Sequence, residues 1–383
     1  MEPILTNNSI SLNPLMEIIL QEIKQTGPIP FSRYMELSLY HPQWGYYEQT
    51  ANNIGSKGDF ITSITTTPLF SHLLTEQLLA WSISFKWEKP WIWIESGAHD
   101  GTLANDILEY LSSRGLTENV LYYIIEPSDK RRKWQEVKLK SYSNIRWYSS
   151  IEHLPSSIRG ILFCNELLDA FPCNLFEYDA HKNLWYELYI SSHDEIYRPV
   201  ELIWQRSPNP TPLPTELQSI NCKYFQDGYK IEHSSLSTEW WRKAAKSIYQ
   251  GILLTFDYGI RDSELEEGFK PMSTIRAIAK HQYQDNWLSK PGKIDLSSAV
   301  HWDEIIRTGQ ESGMQTSKLT SQEQFLMQII QFLQNQNRIQ LSTAPSMNTQ
   351  SKDLIIINPS ELKTLIHPQY FGHSFQTLVQ TKN

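Results

Sequence analysis

The stretch Ile94–Leu108, IESGAHDGTLANDIL, decides the fold because it joins an apolar run to an amphipathic helix through a tight turn. Gly97 and Gly101 lie in this turn, and glycine lets a backbone turn sharply and approach a ligand closely. His99 lies between them, where a nucleotide-binding loop usually has another glycine. The stretch therefore predicts a ligand-binding turn at the carboxyl end of a strand, with an unusual side chain in it.

The same alternation of strand and helix continues on both sides of this turn. In chain order the segments read WIWIES, TLANDILEYLSSRG, LYYIIEPS, DKRRKWQEVKLK, RGILFCNELLDAF, STEWWRKAAKSI and GILLTFDYG. Short apolar strands separated by helices are typical of a parallel sheet, because the crossover helices cover both of its faces. The predicted fold class is therefore α/β, with a doubly wound Rossmann-like core.

Four regions are expected around this pattern. The N-terminal segment PLMEIILQEIKQTG has apolar residues at helical spacing and ends at Gly27, which predicts a helical cap. The Pro-rich stretch SPNPTPLPTEL indicates an insertion, and the tail is expected to be mostly irregular apart from one Gln-rich helix and a closing strand, SFQTLVQ. The predicted boundaries are a cap and lid at 1–75, a core at 76–193 and 237–262, an insertion at 194–236, and an accessory region at 263–383 that returns a last strand to the core.

Polar residues, all but one of them acidic, follow several of the predicted strands. They are Glu95, Glu126, the group Asn165, Glu166 and Asp169, and Asp257. Ligands of open α/β sheets lie outside the carboxyl ends of the strands, and an acid at the second strand end can accept both hydroxyls of a ribose. A pyrophosphate is repelled by carboxylates, whereas S-adenosylmethionine carries an ammonium and a sulfonium and no phosphate. The charges near the turn therefore favour S-adenosylmethionine and methyl transfer, with a nucleotide-binding oxidoreductase as a weaker alternative.

The composition argues against several other classes. A formal net charge of −8 does not suit a nucleic-acid binder, and the basic run 130–133 is interpreted as a solvated helix face. Cys164, Cys173 and Cys222 form no close pair, so neither a metal site nor a disulfide is predicted. No apolar run reaches membrane-spanning length, and MEPILTNNSI lacks the character of a signal or transit peptide, which makes the cytoplasm the expected compartment.

Distinctive stretches of the chain carry a family resemblance. They are GPIPFSRYMELSLYHPQWGYY, IGSKGDFITS, ESGAHDGTLANDIL, YYIIEPSDKRRKWQ, CNELLDAFPCNLFEY, LLTFDYG, TIRAIAKHQYQDNWLSKPGKIDLSS and GHSFQTLV. In this order they resemble the MidA family of S-adenosylmethionine-dependent methyltransferases. The resemblance implies a class I methyltransferase core with S-adenosyl-L-methionine as its cofactor. Mitochondrial members of the family resemble complex I assembly factors that dimethylate an arginine, which implies a protein substrate, with a respiratory complex I subunit as a candidate and a homodimer left open.

The resemblance also implies roles for individual residues. The segment GDFITS would fold over the cofactor as a lid, with contacts from Asp59, Thr62 and Ser63, although the segment alone is also consistent with a capped turn. The turn that holds the methionine side of the cofactor would consist of Glu95, Gly97, Gly101 and Thr102. The ribose would bind Glu126, and the substrate side would be lined by Asn165, Glu166 and Asp169.

The sequence departs from the family pattern at two places. His99 replaces a glycine, and in IDLSSAVHWDE the residues Ala299 and His301 stand where the family has a histidine and an acid. These changes motivate a second hypothesis, a folded assembly factor that binds the cofactor with little or no turnover.

An arginine acceptor would place specific demands on the site. Its guanidinium is protonated at any working pH, so carboxylates must bind it. Glu166 and Asp169, three residues apart at an expected helix start, could converge on one guanidinium. The alternative is ordinary helix capping by Asn165 and Glu166 with a surface acid at Asp169. His281 is a further candidate base, although a lone histidine is more often structural.

Overall fold

The structure is a computed structural model in which residues 13–49, 67–193, 201–218, 220–267, 273–342, 354–367 and 375–383 are described. Its helices are α1 (Pro14–Thr26), α2 (Phe31–Tyr40), α3 (Tyr46–Gln49), α4 (Leu69–Ser84), α5 (Thr102–Ser113), α6 (Asp129–Lys138), α7 (Ser235–Ser247), α8 (Asp262–Glu266), α9 (Trp302–Glu311), α10 (Gln322–Asn335) and α11 (Pro359–Ile366). Its first ten strands are β1 (Ile29–Pro30), β2 (Trp91–Ser96), β3 (Val120–Ile125), β4 (Ile145–Tyr148), β5 (Ile158–Asn165), β6 (Asn174–Asp179), β7 (Leu184–His193), β8 (Glu201–Arg206), β9 (Lys230–His233) and β10 (Ile248–Asp257). The remaining strands are β11 (Gly259–Ile260), β12 (Arg276–Ala279), β13 (Gln282–Tyr283), β14 (Asp295–Ser297), β15 (Val300–His301), β16 (Gln315–Ser321), β17 (Ile339–Leu341), β18 (Ile355–Ile357) and β19 (Gln376–Lys382).

The core is a seven-stranded sheet in the order β16-β19-β10-β5-β2-β3-β4. The pairs β2–β3, β3–β4, β2–β5 and β5–β10 are parallel, whereas β19 runs antiparallel to both of its neighbours. The strand order reverses between β2 and β5, and such a reversal opens a crevice beyond the carboxyl ends of the two strands. The predicted doubly wound core is confirmed, and its crevice lies beside the turn after β2.

Helices cover both faces of this sheet, as the apolar strands require. On one face the buried residues come from α4, α5 and α10 together with the sheet, and include Trp93, Phe163 and Phe256. On the other face α7 and α9 contribute Trp241 and Trp302 to a second apolar layer. Strands buried on both sides stay in register, which keeps their carboxyl ends at fixed positions.

A second, antiparallel sheet carries the N-terminal helices. Its order is β1-β7-β6-β9, and β8 pairs with β7. Helices α1 and α2 pack on it through a shared core that includes Leu15, Phe31, Leu188 and Ile190. The insertion was expected to begin at 194, but the sheet already includes the hairpin from Asn174 to His193. The second sheet therefore begins at Asn174, shortly after β5, and not at residue 194.

The C-terminal region is more regular than expected. From residue 263 onward the described residues form α9, α10, α11 and several strands, most of them short. Strands of two to four residues are too short to show alternation in a sequence, which explains why they were missed. The expected closing strand is β19, which lies between β10 and β16. Among the described helices, none has the length and apolarity needed to cross a membrane.

Candidate functional site

A cavity of about 560 Å³ lies at the carboxyl ends of β2, β3 and β5. This volume falls within the range of small-molecule and cofactor sites. Residues of α2, α3, α7 and β14 and of the segment 149–152 also line it. The predicted site residues that line it are Glu95, Gly97, Thr102, Glu126, Asn165, Glu166 and Asp169. Gly101 shapes the turn behind it, whereas Asp59, Thr62 and Ser63, together with the rest of the predicted lid, lie outside the described residues.

The turn between β2 and α5 needs left-handed backbone at three positions. Gly97, His99 and Gly101 have φ values of 76°, 46° and 83°. A Cβ atom at Gly97 would lie 2.9 Å from Cδ1 of Leu167, so a side chain there would collide with the turn after β5. The carboxylate of Asp100 accepts a hydrogen bond of 3.0 Å from the amide of Thr102 and so satisfies a donor of the first turn of α5. Glycine at 97 therefore avoids a contact with the turn after β5, and His99 adopts the same left-handed backbone without being glycine.

Glu95 lies at the bottom of the cavity. It is 3% exposed, and its Oε2 accepts a hydrogen bond of 2.6 Å from the hydroxyl of Tyr122. Burial raises the pKa of Glu95 to about 8, although the hydrogen bond from Tyr122 opposes this shift. A cationic ligand group next to Glu95 would favour its ionised form.

Glu126 follows β3 and is held by three donors. Its Oε1 accepts hydrogen bonds from the amide of Ser128 at 2.9 Å and from Nε of Arg131 at 3.0 Å. Its Oε2 accepts one from Nε2 of Gln135 at 3.0 Å. A carboxylate has about four acceptor positions, so Glu126 keeps capacity for a further donor such as a hydroxyl.

The basic run 130–133 was interpreted as a solvated helix face, and the position of Arg131 contradicts this interpretation. Its side chain is only 12% exposed and also lies 3.4 Å from Oε1 of Glu48 in α3. Arg132 fits the original interpretation, because it is 43% exposed and pairs with Glu136 on the same helix. Arg131 instead joins the N-terminal cap to the wall of the cavity.

Residues 166–170, directly after β5, form a turn, which corrects the expected helix start. Glu166 adopts a left-handed φ of 50°, and Nδ2 of Asn165 donates a hydrogen bond of 3.0 Å to Oε1 of Glu166. Oδ2 of Asp257 accepts hydrogen bonds from the amides of Leu168 at 2.9 Å and Asp169 at 3.3 Å. Because a buried carboxylate from β10 satisfies these amides, the chain needs no helix here, and the helix-capping interpretation does not apply.

The carboxyl groups of this turn have strongly perturbed pKa values. Burial, followed by the charge of Asp169, raises the pKa of Glu166 to about 8. Burial and the charges of Asp257 and Asp295 raise the pKa of Asp169 well above its usual range. Perturbed acids that line a cleft are typical of binding and catalytic sites.

Asp295 and Tyr47 are site residues to which the sequence gave no role. Asp295 is 5% exposed, lines the cavity from β14, and accepts a hydrogen bond of 2.7 Å from the hydroxyl of Tyr47. Both lie in stretches that carry the family resemblance, KIDLSS and HPQWGYY. That resemblance was the available signal, because nothing in the local pattern of either stretch indicates a contact with the other.

Other candidates lie away from the cavity. His281 is exposed at the turn between β12 and β13, where it has a φ of 60°. Cys164 is buried in β5, and burial raises the pKa of its thiol, which suits the structural interpretation.

Three side chains outside the cavity, Glu216, His233 and Glu304, have atoms close enough together to hold a metal ion. The sequence did not predict this group. Nε2 of His233 lies 3.2 Å from Oε1 of Glu304 and 3.8 Å from Oε2 of Glu216. The contact between His233 and Glu304 is within hydrogen-bond distance, and both side chains are buried.

The cavity fits S-adenosylmethionine on chemical grounds. Carboxyl groups at Glu95, Glu166 and Asp169 suit a ligand with an ammonium and a sulfonium. His99 lines the cavity, and its Nε2 is buried and has no hydrogen-bond partner among the described residues.

Comparisons with known proteins agree with this assignment. A family model of S-adenosyl-L-methionine-dependent methyltransferases matches residues 73–320. The protein arginine methyltransferase NDUFAF7, mitochondrial, of Rattus norvegicus is 27% identical over 329 residues, which cover 78% of this chain and 70% of that protein. The Danio rerio protein of the same name is 27% identical over 409 residues, which cover 96% and 87% of the two chains.

A solved structure has the same fold along nearly the whole chain. It is a crystal structure of a protein from Burkholderia thailandensis bound to S-adenosyl-homocysteine, with a TM-score of 0.78 and 24% identity. The match covers 96% of this chain and 92% of that one. Together with the family match over residues 73–320, these findings confirm the resemblance to MidA proteins, and the chain belongs to the family of S-adenosyl-L-methionine-dependent methyltransferases.

Proposed function

We propose that this methyltransferase modifies an arginine side chain of a partner protein. The observation that carries the proposal is the set of three carboxyl groups, Glu166, Asp169 and Asp295, on the wall of one cavity. The names of the curated relatives, protein arginine methyltransferases, support the same acceptor.

The electrostatics of the wall suit a cationic acceptor. Burial and the charges of neighbouring carboxylates raise the pKa values of Glu166 and Asp169, so their ionised forms are disfavoured. A guanidinium remains charged at any working pH and presents a planar set of donors. Its arrival would favour the ionised carboxylates and orient one nitrogen toward the reacting methyl group.

The remaining site residues have proposed roles that follow their positions. Glu126 would accept hydroxyl protons of the ribose, and the turn with Glu95, Gly97, Gly101 and Thr102 would hold the methionine part. Asn165 would orient Glu166 through the hydrogen bond between their side chains. Asp59, Thr62 and Ser63 are proposed to cover the cofactor on the evidence of the family resemblance alone.

Transfer requires positioning and the removal of one proton. When bound, the cofactor supplies an electrophilic methyl group on its sulfonium. The new N–C bond replaces an S–C bond, and the acceptor nitrogen releases one proton. Glu166, with a pKa near 8, is the proposed acceptor of that proton, because a base works best when its pKa lies near the operating pH. The site would also lower the barrier to transfer by holding the acceptor nitrogen in line with the methyl group.

Labelled methyl transfer into a cell lysate tests the acceptor. We expect labelled protein that yields methylarginine on acid hydrolysis, with at least about tenfold less label from Glu166→Gln and Asp295→Asn, since each change removes a charge-assisted contact. Glu109→Gln, an exposed acid on α5, is the matched control and should retain full labelling. Label in lysine, or full labelling by both site variants, would contradict the proposal. Binding of S-adenosyl-homocysteine by the same variants separates loss of the acceptor from loss of the cofactor.

The partner and compartment are also proposals. A respiratory complex I subunit is the candidate substrate and a homodimer the candidate assembly, both suggested by the family resemblance. The cytoplasm is retained as the expected compartment of this chain, whereas the curated relatives are named mitochondrial. Fractionation of the source cells with a tagged chain, followed by cross-linking, would test all three.

A further inference from the structure

His99 holds a backbone conformation that side chains normally avoid. Its φ of 46° places it in the left-handed region, where a residue with a Cβ atom is disfavoured relative to glycine. Gly97 and Gly101, two residues away on each side, adopt the same handedness as glycines. A glycine at 99 would therefore satisfy the turn, and the imidazole needs an explanation of its own.

The surroundings of His99 fix its ring and leave one nitrogen without a hydrogen-bond partner among the described residues. The side chain is 15% exposed and lies between the rings of Tyr47 and Trp134, with centroid distances of 6.4 Å and 6.3 Å. Nδ1 lies 3.9 Å from a carboxylate oxygen of Asp100. Nε2 is buried without a hydrogen-bond partner among the described residues, and the residue lines the cavity. The ring is thus held in place at the cavity wall while one of its nitrogens lacks a partner among the described residues.

The other cationic side chains on the described cavity wall are already paired. Arg131 bonds Glu126 and Glu48, and Nζ of Lys243 lies 2.6 Å from Oε1 of Glu152. The cofactor brings an α-carboxylate into a cavity that is rich in carboxyl groups, so this carboxylate needs a donor that its neighbours do not already occupy.

We propose that Nε2–H of His99 donates a hydrogen bond to the α-carboxylate of the cofactor. His99 is then a cofactor-binding residue of this chain at a position where the turn itself requires only glycine. The backbone at His99 lies beside the proposed ribose acid, because Nε2 of Gln135 donates to both the carbonyl of His99 and the carboxylate of Glu126. This position between the ribose acid and the acidic wall matches the place of the methionine part.

Ligand truncation combined with substitution tests the contact. S-adenosyl-homocysteine has the carboxylate, whereas 5′-methylthioadenosine shares the nucleoside and lacks the amino acid. By calorimetry, we expect His99→Gly to weaken binding of S-adenosyl-homocysteine about tenfold to a hundredfold, as for the loss of a hydrogen bond to a charged group. Binding of 5′-methylthioadenosine should change less than about twofold. His99→Asn, which tolerates left-handed backbone and keeps an N–H donor, should recover part of the loss.

The melting temperature distinguishes the loss of this contact from a folding defect. The ligand-free His99→Gly protein should melt at the same temperature or higher, because glycine relieves the left-handed backbone. His281→Gly is the matched control, since His281 is also left-handed, at φ 60°, but does not line the cavity. It should leave both affinities unchanged. Unchanged or tighter binding of S-adenosyl-homocysteine by His99→Gly would overturn the proposal, and so would an equal loss for both ligands, which would assign the contact to the nucleoside.

Discussion

At the residue scale, the chemistry of the carboxyl groups depends on their surroundings more than on their type. The sequence predicted which acids follow the strands, because strand ends can be read from apolar runs. It could not predict that Glu166 and Asp169 have raised pKa values, since burial and neighbours such as Asp295 arise from distant segments. His99 shows the same limit: its departure from glycine was visible in the sequence, whereas the lack of a partner for its Nε2 among the described residues was not.

The raised pKa of Glu166 predicts a pH dependence of stability. The folded protein keeps this group protonated up to about pH 8, whereas the unfolded chain releases its proton near the ordinary pKa of 4.5. The folded state therefore binds more protons between these values, and the free energy of unfolding should fall as pH rises from about 4.5 to 8. Glu166→Gln should flatten this fall, as measured by denaturant titration without ligand, whereas Glu109→Gln should leave it unchanged. An identical pH profile for Glu166→Gln and the parent would contradict the shift.

At the element scale, long segments with clear periodicity were predictable and short ones were not. The strands and the helix from β2 to β3 follow their apolar patterns. The four-residue β4 has too few residues for a pattern, and it was missed. The turn after β5 was mistaken for a helix start because its amides are satisfied by Asp257, which lies far away in the sequence. Contacts with distant residues can determine local structure, and the local sequence does not show them.

The packing of α9 on β19 predicts that Gly309 does not tolerate a larger side chain. A Cβ atom at Gly309 would lie 1.8 Å from Oε1 of Gln380. Gln380 also accepts a hydrogen bond from Trp241 and donates two others, all of which would be disturbed. Gly309→Ala should lower the free energy of unfolding by about 2 to 4 kcal/mol, measured by chemical denaturation. Glu311→Ala, exposed on the same helix, should stay within about 0.5 kcal/mol, and a similarly small effect at Gly309 would refute the expected clash.

At the scale of the whole molecule, the site is assembled from units that are far apart in the chain. The N-terminal cap reaches the core through the contact of Glu48 with Arg131, and through Tyr47, which bonds Asp295 of a C-terminal strand. The hydroxyl of Tyr40 also donates a hydrogen bond of 2.8 Å to the carbonyl of Ala170. The family resemblance predicted that these segments belong together, because their order along the chain matched. Sequence patterning alone could not show that the cap closes the cavity, since it says nothing about pairing between units.

The contact between the N-terminal cap and the core depends on the charge of Arg131. Arg131→Met should lower the free energy of unfolding by about 3 to 5 kcal/mol, because it leaves buried Glu126 and Glu48 without their cation. Arg132→Met is the matched control on the same helix, and it should lose less than about 1 kcal/mol because its ion pair is exposed. Both effects can be measured by denaturation at one pH. Equal values for the two variants would show that the junction does not depend on this charge.

The position of β19 also has a consequence for how the protein is made. This strand lies between β10 and β16, yet residues 376–382 follow every other described element of the sheet in the chain. During synthesis, the apolar edge of β10 therefore emerges from the ribosome long before its antiparallel partner does. An unpaired edge of this kind can recruit strands of other chains. The nascent sheet is therefore expected to keep an open edge at β10 during the interval in which β2, β3 and β5 have been made and β19 has not.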